Sequence, residues 1–302
     1  MRNCMQKNIC TYILMLLFLT DSPISALSVV YNFRIAQITR QSIGHQTEKR
    51  PNSLSILFFD FFQKMRHFNV RENYAGGLIT YNRDIAKHCY VRADFAASHV
   101  HQKKDCLSTV EVIEPDNILL TAGRNFMPTE KTKVTLSGLL GIPTHNVNTL
   151  QRVGFGVGQV GVGVQLDGLC KITQPVDFLW GARYNYFIPR SAFDTQGTCH
   201  KFTVGSIADV IVALQTSKPI SHGIEGGYSG RWGFGVSATP RIANLDSLNY
   251  MRNNVYLVYK YTFLRKHFAH RLLLNISYGS DAKPKRYGYD AVMIWGSWGI
   301  SF

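Results

Sequence analysis

Three short stretches carry residue types that perform chemistry in other settings. Gly156-Val157-Gly158-Gln159-Val160-Gly161 spells the G-x-G-x-x-G pattern that seats a dinucleotide pyrophosphate. Gly227-Tyr228-Ser229-Gly230 approaches the G-x-S-x-G elbow of serine hydrolases, but Arg231 stands where the last glycine belongs. His99-Val100-His101 places two imidazoles on one side of an extended segment, which binds a metal when a third ligand arrives. The element that must hold each motif decides its reading. The glycine pattern needs a strand that ends and a helix that starts. Here Val160, Val162, Val164 and Leu166 keep alternating, so the stretch is a glycine-rich strand with small residues on one face and a bulge near Gln159. Ser229 is expected to face inward, and no serine stands beside His270, the one outward histidine suited to hydrolysis. Asn275-Ile276-Ser277 spells a glycosylation acceptor but lies inside an expected strand. No catalytic residue, metal site or cofactor is expected.

The cysteines point the same way. Cys4 and Cys10 fall in an apparent leader, which leaves Cys89, Cys106, Cys170 and Cys199 at wide, irregular spacing that fits no zinc pattern. In an oxidising compartment Cys106 and Cys199 are the first pair to test, since both fall in expected long loops; unpaired thiols are an equal alternative.

The elements themselves are strands. Residues 1–28 read as a secretory signal: Arg2 and Lys7, an apolar run from Ile9 to Leu19, and a small-residue exit through Ala26 and Ser28. Residues 29–52 form a polar, basic arm or plug. From Ser53 the chain breaks into segments separated by turn-forming residues, and twelve strands are predicted: 53–64, 74–84, 88–99, 117–127, 131–142, 154–168, 175–188, 201–215, 222–238, 252–264, 268–280 and 288–302. Their connections alternate between short and long, from the tight Asp84–Lys87, Met127–Glu130 and Leu264–His267 to the long Ser98–Asp116, Pro143–Val153, Pro189–His200 and Thr239–Met251. An even strand number with that asymmetry is what a closed membrane barrel requires. The predicted fold is all-β, an antiparallel transmembrane barrel over residues 53–302.

Side chains on a strand alternate between faces. Val176, Phe178, Trp180, Ala182, Tyr184, Tyr186 and Ile188 oppose Asp177, Arg183 and Asn185. Likewise Val255, Leu257, Tyr259, Tyr261 and Phe263 oppose Asn254, Lys260 and Thr262, and Ile224, Tyr228, Trp232, Phe234 and Val236 oppose Glu225, Ser229, Arg231 and Ser237. The apolar rows are long, aromatic and continuous, as a lipid-facing surface must be, whereas a soluble sandwich packs such rows together and exposes its charges. The inner faces collect Arg92, Asp94, Lys133, Asp167, Asp177, Arg183, Lys201, Asp209, Glu225, Arg231, Lys260, Arg271 and Asp290, seven basic and six acidic groups. A net charge of +14, or +13 without residues 1–28 (two basic, one acidic), is scattered over turns and loops. That distribution suits anionic lipid headgroups or solutes, and no nucleic-acid partner is expected.

The end of the chain carries a resemblance. Tyr289-Asp290-Ala291-Val292-Met293-Ile294-Trp295-Gly296-Ser297-Trp298-Gly299-Ile300-Ser301-Phe302 is similar to the C-terminal strand of bacterial outer-membrane β-barrel proteins, in which alternating apolar residues close on a terminal Phe. The resemblance implies that Trp298, Ile300 and Phe302 are an assembly signal for the barrel-assembly machinery. It also implies location in the outer membrane, contact with outer-membrane lipid, and often passive transport. On that basis we expect a narrow, porin-like channel for small polar solutes with a slight preference for anions. Arg183, Arg231, Lys260 and Arg271 would steer solutes opposite Asp177, Asp209 and Glu225. The alternatives are a structural or adhesive barrel that binds a partner through its loops and, less favoured, a membrane hydrolase.

Overall fold

The computed structural model describes residues 52–65, 70–104, 110–115, 118–144, 159–193, 198–216, 221–240, 250–265, 268–281 and 290–301. The expected signal, the arm up to residue 51 and Phe302 lie outside the described residues. The elements are β1 (Asn52–Met65), β2 (Val70–Ala86), β3 (Cys89–Lys104), β4 (Val110–Pro115), β5 (Ile118–Thr129), β6 (Thr132–Ile142), β7 (Gly161–Thr173) and β8 (Val176–Phe187). They continue with β9 (Arg190–Phe193), β10 (Cys199–Thr203), β11 (Ser206–Thr216), β12 (Ser221–Phe234), β13 (Ser237–Thr239), β14 (Tyr250–Arg265), β15 (Phe268–Asp281) and β16 (Asp290–Ser301). Among the described residues no helix is long and apolar enough to cross a membrane.

Twelve strands form a ring of antiparallel neighbours. β1 pairs with β2, β2 with β3 and β3 with β5. The pairing then runs through β6, β7, β8, β11, β12, β14, β15 and β16. β16 returns to β1 over eleven residue pairs, from Ser55 opposite Ser301 to Met65 opposite Ala291. Closure is the physical requirement here, because an open edge in hydrocarbon would leave backbone N–H and C=O groups without partners.

All twelve predicted strands are present, with informative differences. The segment predicted as a loop over Ser98–Asp116 is largely a hairpin: β3 runs on to Lys104 and its outer half pairs with β4, Ala97 opposite Pro115 through Gln102 opposite Val110. The strand predicted over 154–168 starts at Gly161 and runs to Thr173. The strands predicted over 201–215 and 222–238 are each broken, at Gly205 and Gly235, both at positive φ. Past Gly235 the alternation reverses: Val236, expected outward, is buried, and Ser237, expected inward, is exposed. A left-handed residue turns the strand, so the side chains beyond it change walls, while the pairing runs on in register from Ser206 opposite Phe234 to Thr203 opposite Ser237.

The two walls sort as the alternation requires. Phe58, Ile79, Phe95, Leu136, Val164, Tyr184, Val212, Ile224, Val255, Leu257, Leu274, Ile276, Ile294 and Trp298 all point outward and are exposed. At the short-turn end an aromatic row crosses five strands. Phe58, Trp298, His270, Phe263, Tyr261 and His222 follow one another at ring-centroid distances between 4.7 and 6.1 Å. Amphipathic rings are the side chains that favour the boundary between hydrocarbon and headgroups.

Inside, small residues make room for large ones. On β5, Gly123 lies opposite Tyr90 of β3 and Ser137 of β6, and the Tyr90 hydroxyl and Ser137 Oγ hydrogen-bond at 2.9 Å across it. A Cβ on Gly123 would stand 2.6 Å from the Tyr90 ring and 2.7 Å from Ser137 Oγ. Gly123→Val is therefore expected to push Tyr90 aside and cost about 1–3 kcal/mol. Urea unfolding in lipid vesicles measures this, and an unchanged midpoint would show that the ring does not lie over the glycine.

Candidate functional site in the barrel interior

The inner wall is polar, and three groups of its charges are ion-paired. Register places Arg183 of β8 opposite Asp209 of β11, and Asp209 opposite Arg231 of β12. Arg183 donates to Asp209 Oδ2 from Nη2 at 2.9 Å and from Nε at 3.2 Å, while Arg231 Nε donates to Oδ1. One carboxylate thus joins two guanidiniums from the strands on either side, and all three side chains are about 1% exposed. Charge-assisted hydrogen bonds of this kind are strong only while every member is present.

A second group sits across the ring. Asp94 of β3 accepts from Arg92 at 2.9 and 2.7 Å and from Thr80 Oγ1 of β2 at 2.6 Å. Arg92 and Asp94 are two residues apart on one strand, so alternation alone turns both inward. The third group is more open. Lys260 Nζ lies 2.6 Å from Glu225 Oε2 and donates to Gln215 Oε1 at 2.9 Å, and the Tyr256 hydroxyl donates to Glu225 Oε1 at 3.1 Å. The Lys260 side chain is 18% exposed, well above the 1% of Arg183 and Arg231. Lys260 is thus more accessible than the arginines of the other two groups.

The remaining expected residues fall as follows. Asp177 is buried on the inner face of β8, opposite Lys171 and Gln215. Arg271 holds a backbone position on β15 between Thr262 and Gly299. Trp298 is exposed on the outer wall and stacks on Phe58; Ile300 pairs with Ile56 and His270. Lys201, expected in the lumen, is instead exposed on β10, which belongs to a separate small sheet with β9 and β13. The strand breaks at Gly205, so the inward row of β11 does not extend to residue 201. Ser229 is buried on the inner wall, whereas His270 stacks on Phe263 at 4.7 Å on the outer wall, so the structure keeps the two hydrolase candidates on opposite faces. His99 and His101 lie on β3, His101 between Asn73 and Glu111, and no group of three metal-ligating side chains occurs among the described residues. Cys89, Cys170 and Cys199 carry free thiols; Cys106, and with it the expected Cys106–Cys199 pair, lies outside the described residues.

Sequence reasoning missed Gln159. Its side chain is 1% exposed, donates from Nε2 to the Phe202 carbonyl at 2.9 Å and accepts from the Val204 N–H at 3.2 Å. The available signal was its parity, because it shares the inward phase of Gly161, Gly163 and Gln165.

No protein-family model matches the sequence, and no curated protein matches it. The structure does have neighbours. It is similar to an outer-membrane channel from Pseudomonas putida, with a TM-score of 0.65 and 12% identity over 85% of this chain and 98% of that one. It is similar to the translocator domain of the autotransporter NalP from Neisseria meningitidis, with a TM-score of 0.54 and 11% identity over 93% of this chain and 98% of that one. The β domain of the Bordetella autotransporter BrkA matches with a TM-score of 0.50 and 10% identity, over 84% and 100%. A twelve-stranded antiparallel ring with an apolar outer wall and an ion-paired inner wall defines the class of bacterial outer-membrane β-barrels. This chain has that fold.

Proposed function

We propose that the protein is a narrow outer-membrane channel that conducts small polar solutes and has weak charge selectivity. The observation that carries this reading is the inner wall. Hydroxyls, amides and ion pairs line an interior enclosed by an apolar outer wall, which is the arrangement of a wet passage through lipid. The similarity to the P. putida channel supports the same reading. Five described inward cations, Arg92, Lys133, Arg183, Arg231 and Lys260, face five anions, Asp94, Asp167, Asp177, Asp209 and Glu225. Solutes therefore meet little uncompensated charge. Outer-membrane lipid contacts the outer wall in this reading, and the barrel-assembly machinery reads the last residues of the chain through Trp298, Ile300 and Phe302.

Planar-bilayer recording of the mature chain tests the proposal. Lys260→Glu is expected to move the reversal potential in a salt gradient toward cations, because Lys260 is the accessible member of its group and the substitution leaves two carboxylates together. Neutralising Lys260 with Arg271 should act in the same direction. No conductance from correctly folded, heat-modifiable protein would overturn the channel and leave a partner-binding surface barrel in its place.

A further inference from the structure

At the long-connection end, which faces outside in this class, three neighbouring strands outgrow the ring. β8 continues into β9, β10 leads into β11, and β12 continues into β13. The extensions pair with one another as a three-stranded sheet in the order β13-β10-β9. They leave the wall at Pro189, Gly205 and Gly235. The two glycines lie at φ 74° and 76°, with Gly205 Cα 3.9 Å from where a Gly235 Cβ would be. Two left-handed glycines side by side let adjacent strands bend together.

The direction of the bend follows from Gln159. It precedes β7 in the inward phase, and β8 lies between β7 and β11. Its amide nevertheless bonds Phe202 and Val204, on the far side of β8. Residues 202–204 must therefore lean inward over the end of β8. Phe187, the last inward residue of β8, is correspondingly 1% exposed and packs with Ile207 and Val204. Thr203 Oγ1 donates to the Phe187 carbonyl at 2.7 Å and accepts from Gly205 N–H at 2.9 Å, fixing the corner.

We propose that this three-stranded flap is a lid over the outer mouth of the barrel, hinged at Gly205 and Gly235 and latched shut by the Gln159 amide. The lid regulates the channel proposed above and rests on that reading, but the latch can be tested without it. Beneath the flap, Asn185 is a buried inward residue of β8, two positions below Phe187. With the native cysteines replaced by serine, Asn185→Cys reports entry of a membrane-impermeant thiol reagent. The reagent is expected to react slowly in the latched protein and roughly tenfold faster after Gln159→Leu, which keeps the shape and removes two hydrogen bonds. Gln159→Glu, which retains the acceptor for Val204 N–H but not the donor to Phe202, should fall between them. Heat-modifiable migration establishes that each variant is folded, and if Gln159→Leu does not fold the comparison is made between the parent and Gln159→Glu. Equal labelling rates with and without the latch overturn the lid, whatever the conductance. Faster labelling accompanied by longer open times establishes it as a gate. Faster labelling with no conductance in either protein supports the lid and removes the channel reading.

Discussion

Replacing Asp209 with alanine is expected to destabilise the folded barrel by about 3–5 kcal/mol, because two buried guanidiniums then face each other without their shared counter-charge. Arg183 and Arg231 approach Asp209 from opposite neighbours in the ring, and neither side chain is more than 1% exposed. Both guanidiniums are buried on the inner face, so water reaches them only if neighbouring inward side chains move aside. The measurement is the urea midpoint of protein folded into lipid vesicles. The same argument predicts partial rescue: Arg183→Met with Asp209→Leu and Arg231→Met removes the charges together and should recover most of the loss. An Asp209→Ala barrel as stable as the parent would show that the two arginines find other compensation and that the cluster does not hold these three strands together.

Charge placed on the outer wall should have a cost that depends on depth. Leu274 lies midway along β15, 51% exposed, between Tyr259 of β14 and Gly296 of β16. Leu274→Arg is expected to cost about 2–4 kcal/mol, the penalty for a cation at the bilayer midplane. Ile85 is 60% exposed near the short-turn end of β2, so Ile85→Arg should cost only about 0–1 kcal/mol. In a water-soluble protein both substitutions would be harmless surface changes, and neither would depend on lipid. Equal midpoints for the two variants in vesicles would therefore remove the membrane assignment of the outer wall, on which the reading of the interior depends.

The reach of the sequence can be judged from particular residues. In β8, the alternation of Tyr184 and Tyr186 against Arg183 and Asn185 assigns each side chain to its wall before any pairing is known, and the structure has that assignment. The charged interior was equally legible as a row: Asp209, Glu225 and Arg231 fall inward by parity alone. Which of them meet was not legible, because contact depends on register between strands far apart in the chain. Asp209 touches Arg183, 26 residues earlier, and Arg231, 22 residues later. The flap was hidden for a different reason. With 25 glycines in the chain, nothing marks Gly205 and Gly235 as the two that take positive φ.

The sequence by itself determined the strand repeat, the two walls and the ring size, since these follow from a period of two and from turn-forming residues read locally along the chain. Only the tertiary structure decided the ion-pair partners, the burial of Gln159 and the inward lean of the flap. Each of those arises where separate strands are brought side by side, and closing the ring fixes that alignment in a way no single segment encodes.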